Sequence, residues 1–343
     1  MITQPRRTNL ASFNIFQLLV SALLLISLGG IAAADEVGES LKVERLTFPV
    51  TLSNGSAADV VGYLYYKGSF RDRTLLVAIH GATYNHKYWD VPIINGHEYS
   101  FARYMAESKY AVLAIDQLGT GESTRPDDGD LLTVDQTAST IHQVITQLRT
   151  GEGGVGYPFA RVVTVGHSLG AINAIYEQGT YHDADAVVST GMGHVPHELP
   201  IPAELINGML QYEYSALPPE VRTAAFYYAP GADPDVITYD NNILSDLLAR
   251  GQLLTGIIAM FDPAATRVGA TTGPVLVQLG EFDVLFPASL GEGEAAYFTS
   301  ASSVTVQSLA GVGHDFNTHF RNHAGWRLID EWLQSQGLGR VDE

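Results

Sequence analysis

The chain has 343 residues, of which 46% are hydrophobic and 16% are charged, the balance of a globular rather than a disordered protein. It carries 19 lysines and arginines against 37 acidic residues, a net charge of −18, which argues against nucleic acid as a partner because no basic surplus exists to release counterions. The absence of cysteine excludes disulfides, thiolate metal sites and a cysteine nucleophile.

The first 34 residues have the pattern of a signal peptide. Arg6 and Arg7 precede the apolar stretch Ile15–Leu28, and three small residues end at Ala34. We expect cleavage after Ala34 and a secreted or periplasmic protein. The alternative is an uncleaved anchor, since the uncharged stretch reaches the length of about 20 residues that spans a bilayer. Only in that case would a membrane be a partner.

Eight strand patterns follow in chain order. The first two are separated by the turn-forming Ser53-Asn54-Gly55, which predicts an antiparallel hairpin. The other six are short runs rich in Val, Ile and Leu, which suit parallel strands buried on both faces. The predicted strands are Val43–Val50, Val60–Tyr66, Leu75–Ile79, Ala111–Ile115, Val162–Val165, Ala186–Ser189, Val275–Leu279 and Val304–Leu309.

Helical patterns lie between these strands. Apolar residues recur at three- and four-residue spacing in Thr133–Leu148, where Thr133 is suited to cap the helix, and again in His323–Gln336. Alternating strands and helices predict an α/β fold: a doubly wound, mostly parallel eight-stranded sheet. We expect its core to comprise residues 35–192 and 271–343.

Residues 193–270 interrupt this alternation. The two strands on either side are separated by roughly 80 residues, far more than one crossover helix needs. The segment is rich in Tyr, Phe and Pro. We expect it to form a mostly helical cap over the sheet; the alternative is a second independent domain.

A glycine-flanked serine follows the strand at Val162–Val165. The sequence Gly166-His167-Ser168-Leu169-Gly170 lies between a strand and a helical segment, the context of a nucleophile elbow. The glycines allow a strained turn that exposes the Ser168 hydroxyl, and the Leu169 N–H is placed to bind an oxyanion. The sequence therefore predicts Ser168 as a nucleophile.

An acid and a base come after the next two strands, in the order that such a nucleophile requires. Asp283 follows Val275–Leu279, and His314 follows Val304–Leu309. Carboxyl ends of parallel strands share one edge, so Ser168, Asp283 and His314 are predicted to form a catalytic triad.

Two alternatives to this assignment are considered. Glu281 could replace Asp283 as the acid. His319 and His323 are four residues apart and could bind a metal, but no third ligand is evident, so no metal is predicted.

We expect the second oxyanion donor in the loop after the third strand, His80-Gly81-Ala82-Thr83, where the Ala82 N–H is the candidate. We expect His80 to brace this loop. Aromatic side chains offer apolar contact area, so several are predicted to line a substrate pocket, although they could instead only pack the cap. These are Tyr84, Trp89, Tyr212, Tyr214, Tyr227 and Tyr228.

With these motifs, residues 43–337 resemble the lid-bearing branch of the α/β-hydrolase superfamily. A further mark is Asp116–Ser123, which looks like the family's D-x-x-G-x-G-x-S structural loop. The resemblance implies serine attack on a carbonyl and an acyl-enzyme. We expect no cofactor, because no nucleotide-binding loop or metal cluster is apparent in the sequence. We expect a carboxylic ester or lactone of a hydrophobic small molecule as substrate. Alternatives are carbon–carbon bond hydrolysis, cofactor-free haloperoxidation, or a non-catalytic exported binding protein.

Overall fold

Eight strands form one sheet in the computed structural model, which describes residues 39–339. The predicted signal peptide and the cleavage after Ala34 lie outside the described residues. The strands in chain order are β1 (Leu41–Thr51), β2 (Ala57–Lys67), β3 (Leu75–Ile79), β4 (Val91–Ile94), β5 (His97–Tyr99), β6 (Ala111–Asp116), β7 (Val162–His167), β8 (Ala186–Thr190), β9 (Tyr214–Ser215), β10 (Leu248–Ala249), β11 (Pro274–Gly280) and β12 (Ser303–Leu309).

The order across the large sheet is β1-β2-β6-β3-β7-β8-β11-β12. The β1–β2 and β2–β6 pairs are antiparallel, and the other five pairs are parallel. Strands β4 and β5 form a separate hairpin, and β9 pairs with β10. The predicted doubly wound, mostly parallel eight-stranded α/β sheet is therefore confirmed.

The inner strands have continuous apolar sequences because both of their faces are buried. Every residue of β3, β6, β7 and β8 is buried, because helices cover both faces of the sheet. The helices are α1 (Phe101–Glu107), α2 (Val134–Thr150), α3 (Leu169–Tyr181), α4 (Ala203–Met209), α5 (Pro219–Phe226), α6 (Pro234–Tyr239), α7 (Arg250–Phe261) and α8 (Asn322–Ser335).

The two helices predicted from spacing are present with nearly the expected ends. The Thr133 side chain accepts a hydrogen bond from the Gln136 N–H and so caps α2. The helix ends at Gly151, whose φ of 79° is the left-handed conformation that favours glycine. Helix α8 begins at Asn322, one residue before the predicted start.

Helices α4 to α7 and the β9–β10 pair lie within residues 193–270, which we call the insertion. Helix α7 contacts both α2 and α3. A Cβ atom built on Gly256 would lie 3.0 Å from Leu169 Cδ1, so α7 packs directly beside the residue that follows Ser168. Between residues 39 and 339, no helix combines the length and apolar character needed to cross a membrane.

Candidate active site

Ser168 lies in a strained turn between β7 and α3. Its φ of 53° and ψ of −119° are unfavourable for a residue with a side chain. A Cβ on Gly166 would lie 2.4 Å from the Gly170 carbonyl oxygen, and one on Gly170 would lie 2.2 Å from the Ile79 carbonyl oxygen. Both glycines are required by close backbone contacts, which hold the turn in this conformation.

His314 and Asp283 form a buried pair. The His314 Nδ1 atom lies 2.8 Å from Asp283 Oδ2, and each residue is 1% exposed. The other carboxylate oxygen, Asp283 Oδ1, accepts hydrogen bonds from the Leu285 and Phe286 N–H groups at 2.8 and 2.9 Å. This arrangement fixes the imidazole orientation and leaves His314 Nε2 without a hydrogen-bond partner among the described residues.

Two opposing effects act on the pKa of His314. Burial lowers this pKa, whereas the Asp283 carboxylate raises it by charge and by the hydrogen bond, and Asp315 raises it further. The net direction is upward. A base whose pKa is raised in this way accepts a proton more readily.

Glu281 does not contact the imidazole. Its carboxylate accepts a hydrogen bond from the Gly311 N–H at 2.8 Å and lies on the exposed side of the loop. Asp283 is therefore the acid that pairs with His314.

His319 braces the loop that carries His314. Its Nε2 accepts hydrogen bonds from the Tyr228 and Gly313 N–H groups at 3.1 and 3.0 Å, and its Nδ1 donates to the Asp315 carbonyl at 2.6 Å. Both ring nitrogens are thus engaged by the protein. His319 also precedes α8, so it does not share a helix with His323, and the possible metal pair is not formed.

The loop after β3 lies against the serine turn. A Cβ on Gly81 would lie 3.1 Å from Ser168 Cβ. His80 braces this loop, because its Nδ1 donates to the Gly81 carbonyl and its Nε2 accepts from the Gln117 N–H. Ala82 lines the same cavity as Ser168 and Leu169. Leu169 is the first residue of α3, where backbone N–H groups lack intrahelical acceptors.

A cavity of about 120 Å³ opens over Ser168. Ser168 and Gln252 are its only lining residues with polar side chains in the described part of the chain. Cavities of about 150 Å³ with apolar walls hold benzene. The insertion supplies most of the wall, through Ile201, Leu205, Ile206, Met209, Leu217, Val221, Ala225, Phe226, Leu248, Leu253, Gly256, Ile257 and Met260.

The predicted aromatic lining is corrected by this cavity, because none of the six aromatic residues is among its lining residues. Tyr212 is 65% exposed, and the Tyr214 hydroxyl donates to the Pro126 carbonyl. Tyrosine hydroxyls need polar partners, whereas aliphatic side chains fill an apolar wall without such partners. The remaining aromatics are packed elsewhere: Tyr228 on Phe282, Trp89 against Tyr88 and Phe101, Tyr227 on His319, and Tyr84 against Phe226.

A buried polar network, absent from the predictions, joins the insertion to the active-site loops. Arg222 of α5 is fully buried, pairs with Asp240, and donates to the Thr83 carbonyl at 3.1 Å. The Tyr84 hydroxyl donates to Asp315, the neighbour of His314, and lies 3.1 Å from Asp240. Burial and the nearby Asp315 carboxylate raise the pKa of Asp240 to about 7, against the opposing effect of Arg222.

The Asp116 loop is structural, as the resemblance implied. Asp116 Oδ1 accepts from the His86 N–H at 2.7 Å, and Oδ2 accepts from the Glu122 N–H at 2.9 Å. A Cβ on Gly121 would lie 2.2 Å from the Asp116 carboxylate carbon, so this position requires glycine.

Comparison with known proteins identifies the fold. An esterase from Thermogutta terrifontis is 17% identical, with a TM-score of 0.58 over 85% of this chain and 98% of that chain. An esterase from Exiguobacterium antarcticum is 14% identical, with a TM-score of 0.61 over 84% and 99%. A bromoperoxidase from Bacillus anthracis is 17% identical, with a TM-score of 0.59 over 84% and 99%. Identities this low indicate a shared fold alone.

At the level of sequence, no relative with a curated description matches. A family model, described as the alpha/beta hydrolase family, matches residues 76–324, which is well over half of the chain. The matched region contains the serine turn, the His314–Asp283 pair and most of the eight-stranded sheet, and the chain belongs to the α/β-hydrolase family.

Proposed function

We propose that the protein is a serine hydrolase that cleaves a carboxylic ester or lactone of a hydrophobic small molecule. The observation that carries the proposal is the position of Ser168 on the wall of an apolar cavity, in the strained turn described above. The buried His314–Asp283 pair supplies a base and an acid to orient it. Esterases among the similar structures agree with this class of reaction.

The reaction follows from these groups. His314 Nε2 accepts the Ser168 Oγ proton while Oγ forms a bond to the carbonyl carbon. The resulting oxyanion accepts hydrogen bonds from the Ala82 and Leu169 N–H groups. The carbon–oxygen bond to the alkoxide then breaks, and His314 donates its proton to this leaving group. Water attacks the acyl-enzyme by the same steps, releasing the acid and free Ser168. No step needs a cofactor.

The cavity indicates the substrate class. Its walls offer apolar contact and almost no hydrogen-bonding groups, so a charged or strongly polar group would lose its hydration without replacement. A volume near that of a benzene-binding cavity suits a small apolar acyl group or ring. We therefore infer a preference for small hydrophobic esters over polymers and over acetyl esters.

Two measurements test the proposal. A fluorophosphonate probe should label Ser168, and a series of p-nitrophenyl esters should give the highest kcat/KM at intermediate acyl length. Absence of labelling and turnover would favour a binding protein on this scaffold. Labelling without ester turnover would favour carbon–carbon bond hydrolysis or haloperoxidation.

Export also belongs to the proposal. It rests on the two arginines, the apolar stretch and the three alanines of residues 1–34.

A further inference from the structure

Three potential ligands lie together at the end of α3 opposite Ser168. His142 belongs to α2, Glu177 to the last turns of α3, and Asp183 to the loop between α3 and β8. One nitrogen of the imidazole and one oxygen of each carboxylate all lie within 4.8 Å of one another. The three residues, which we call the α3-end cluster, are separate from the catalytic groups described above.

Glu177 makes this cluster unusual. The residue is fully buried, and neither of its carboxylate oxygens has a hydrogen-bond partner among the described residues. Asp183 Oδ1, in the same cluster, also lacks one. Nearly all buried polar groups in proteins are hydrogen-bonded, and an exception commonly marks an ion or a water. An ionised carboxylate buried without a donor is costly, so Glu177 needs either a cation or a proton shared with the adjacent Asp183.

The nearby arginine does not neutralise these carboxylates. Arg149, on the next turns of α2, donates to the Asp183 carbonyl and to the Asp185 carboxylate instead of to the cluster. The His142 Nδ1 atom lies 2.5 Å from Asp183 Oδ2, and its ring stacks on Tyr181 at 4.0 Å. The stacking orients the imidazole toward the two acids. When both carboxyl groups are ionised and the histidine is neutral, the cluster has a formal charge of −2, which a divalent cation would balance.

We propose that His142, Glu177 and Asp183 bind a divalent transition-metal ion, for which zinc is the closest fit. One imidazole nitrogen and two carboxylate oxygens are ordinary zinc ligands. The side chains of His142 and Asp183 are 34% and 21% exposed, so the ion can enter from solvent and keep water as a fourth ligand. The hard cations calcium and magnesium prefer oxygen ligands throughout, and an imidazole disfavours them.

The ion would connect α2, the end of α3 and the following loop. Glu177 is nine residues after Ser168, which places it about 13 Å along the helix at 1.5 Å per residue. The metal would therefore stabilise the helix that begins at the serine turn without entering the reaction. A ligand that binds only the folded state raises its stability by mass action.

The test uses the full protein after export processing, treated with chelator, dialysed and titrated with zinc chloride. Calorimetry should give one site per chain, and zinc should raise the thermal unfolding midpoint. Glu177→Gln preserves the side-chain shape and should weaken zinc binding by at least about 100-fold, since loss even of outer-shell partners costs 10–100-fold. Asp183→Asn should do the same, and because Asp183 is less buried it serves if the Glu177 variant does not fold.

A matched control comes from a second group of acids, Asp128, Asp130 and Glu213. These residues are exposed, and Arg250 pairs with two of them. Glu213→Gln should leave zinc binding unchanged. Ester hydrolysis should persist in Glu177→Gln, so the two proposals fail independently. The metal proposal is overturned if the wild-type protein does not bind zinc at micromolar concentrations, or if Glu177→Gln and Glu213→Gln bind it as well as the wild type does.

Discussion

At the scale of single residues, the candidate active site depends on backbone geometry as much as on reactive groups. Ser168 has a φ of 53°, a conformation that costs a residue with a side chain about 1–3 kcal/mol. The contacts at Gly166 and Gly170 leave no room for a Cβ, so the surrounding backbone holds the turn. This close packing places the hydroxyl at the cavity wall.

The acid–base pair gives a prediction about pH. Asp283 raises the pKa of His314, and only the neutral imidazole can accept the serine proton. The kcat/KM should therefore fall as pH decreases through a value above the ordinary histidine pKa of about 6.5. Asp283→Asn should lower kcat by about 10⁴-fold and shift this acid limb to lower pH. Profiles of kcat/KM against pH for the wild type and for Asp283→Asn measure both effects. The same acid limb in the two proteins would show that Asp283 does not act on His314.

At the scale of elements, α7 has two apolar faces with different roles. Leu253, Gly256, Ile257 and Met260 recur at helical spacing and line the cavity. The opposite face is exposed, and the neighbouring Leu254 has 49% of its surface accessible. One helix thus separates the cavity over Ser168 from solvent.

Adjacent leucines on α7 provide a matched pair of variants. Leu253→Trp should narrow the cavity. It should therefore lower the ratio of kcat/KM for a hexanoyl ester to kcat/KM for an acetyl ester by about tenfold or more, because small changes in the volume of an apolar pocket have effects of this size. Leu254→Trp introduces the same side chain on the exposed face and should leave the ratio unchanged. Steady-state kinetics and thermal unfolding of both variants check this. Equal effects at the two positions would exclude the cavity as the acyl site.

The insertion and the core are joined by Arg222. Its guanidinium is fully buried with Asp240 and close to the Thr83 carbonyl. Arg222→Met should lower the free energy of unfolding by about 3–5 kcal/mol, because it leaves buried carboxylate charge uncompensated. The double variant Arg222→Met/Asp240→Asn should recover part of the loss. Urea unfolding measures both.

A substitution of Arg250 is the control for the unfolding measurements on Arg222→Met. It also pairs with acids, but at the protein surface, where solvent screens the charges. Arg250→Met should cost much less stability than Arg222→Met. A similar loss in both would contradict a special role for the buried pair.

At the scale of the whole molecule, the parts that could be predicted were those determined by local sequence. Each buried strand is a short apolar run that the sequence alone makes visible. The positions of Ser168, Asp283 and His314 after β7, β11 and β12 follow from the order of these strands along the chain. The aliphatic cavity wall was not predicted, because aromatic content does not indicate which residues share one face of a helix. The spacing of Leu253, Ile257 and Met260 was the available signal.

The buried network could not be predicted in this way. Arg222 contacts Thr83 across 139 residues of sequence, and no local pattern indicates which acid a given arginine will meet. Such pairings depend on how the insertion packs on the core, which residue spacing alone does not determine.

Processing of the N-terminus is a prediction for the chain as a whole. Expressed with its own N-terminus, the protein should be found outside the cytoplasm and begin at Asp35. Intact-mass and N-terminal peptide spectra measure this. An intact N-terminus in the membrane fraction would support the anchor instead.

Ser168 and His314 are proposed to act together on a carbonyl, and the kinetics of three variants test this cooperation most directly. Ser168→Ala and His314→Ala should each lower kcat for the preferred ester by several orders of magnitude with the fold intact. The double variant should be little worse than either single variant, because members of a triad act as a unit. Near-normal turnover in Ser168→Ala, or losses that multiply in the double variant, would show that the two residues do not form a catalytic unit.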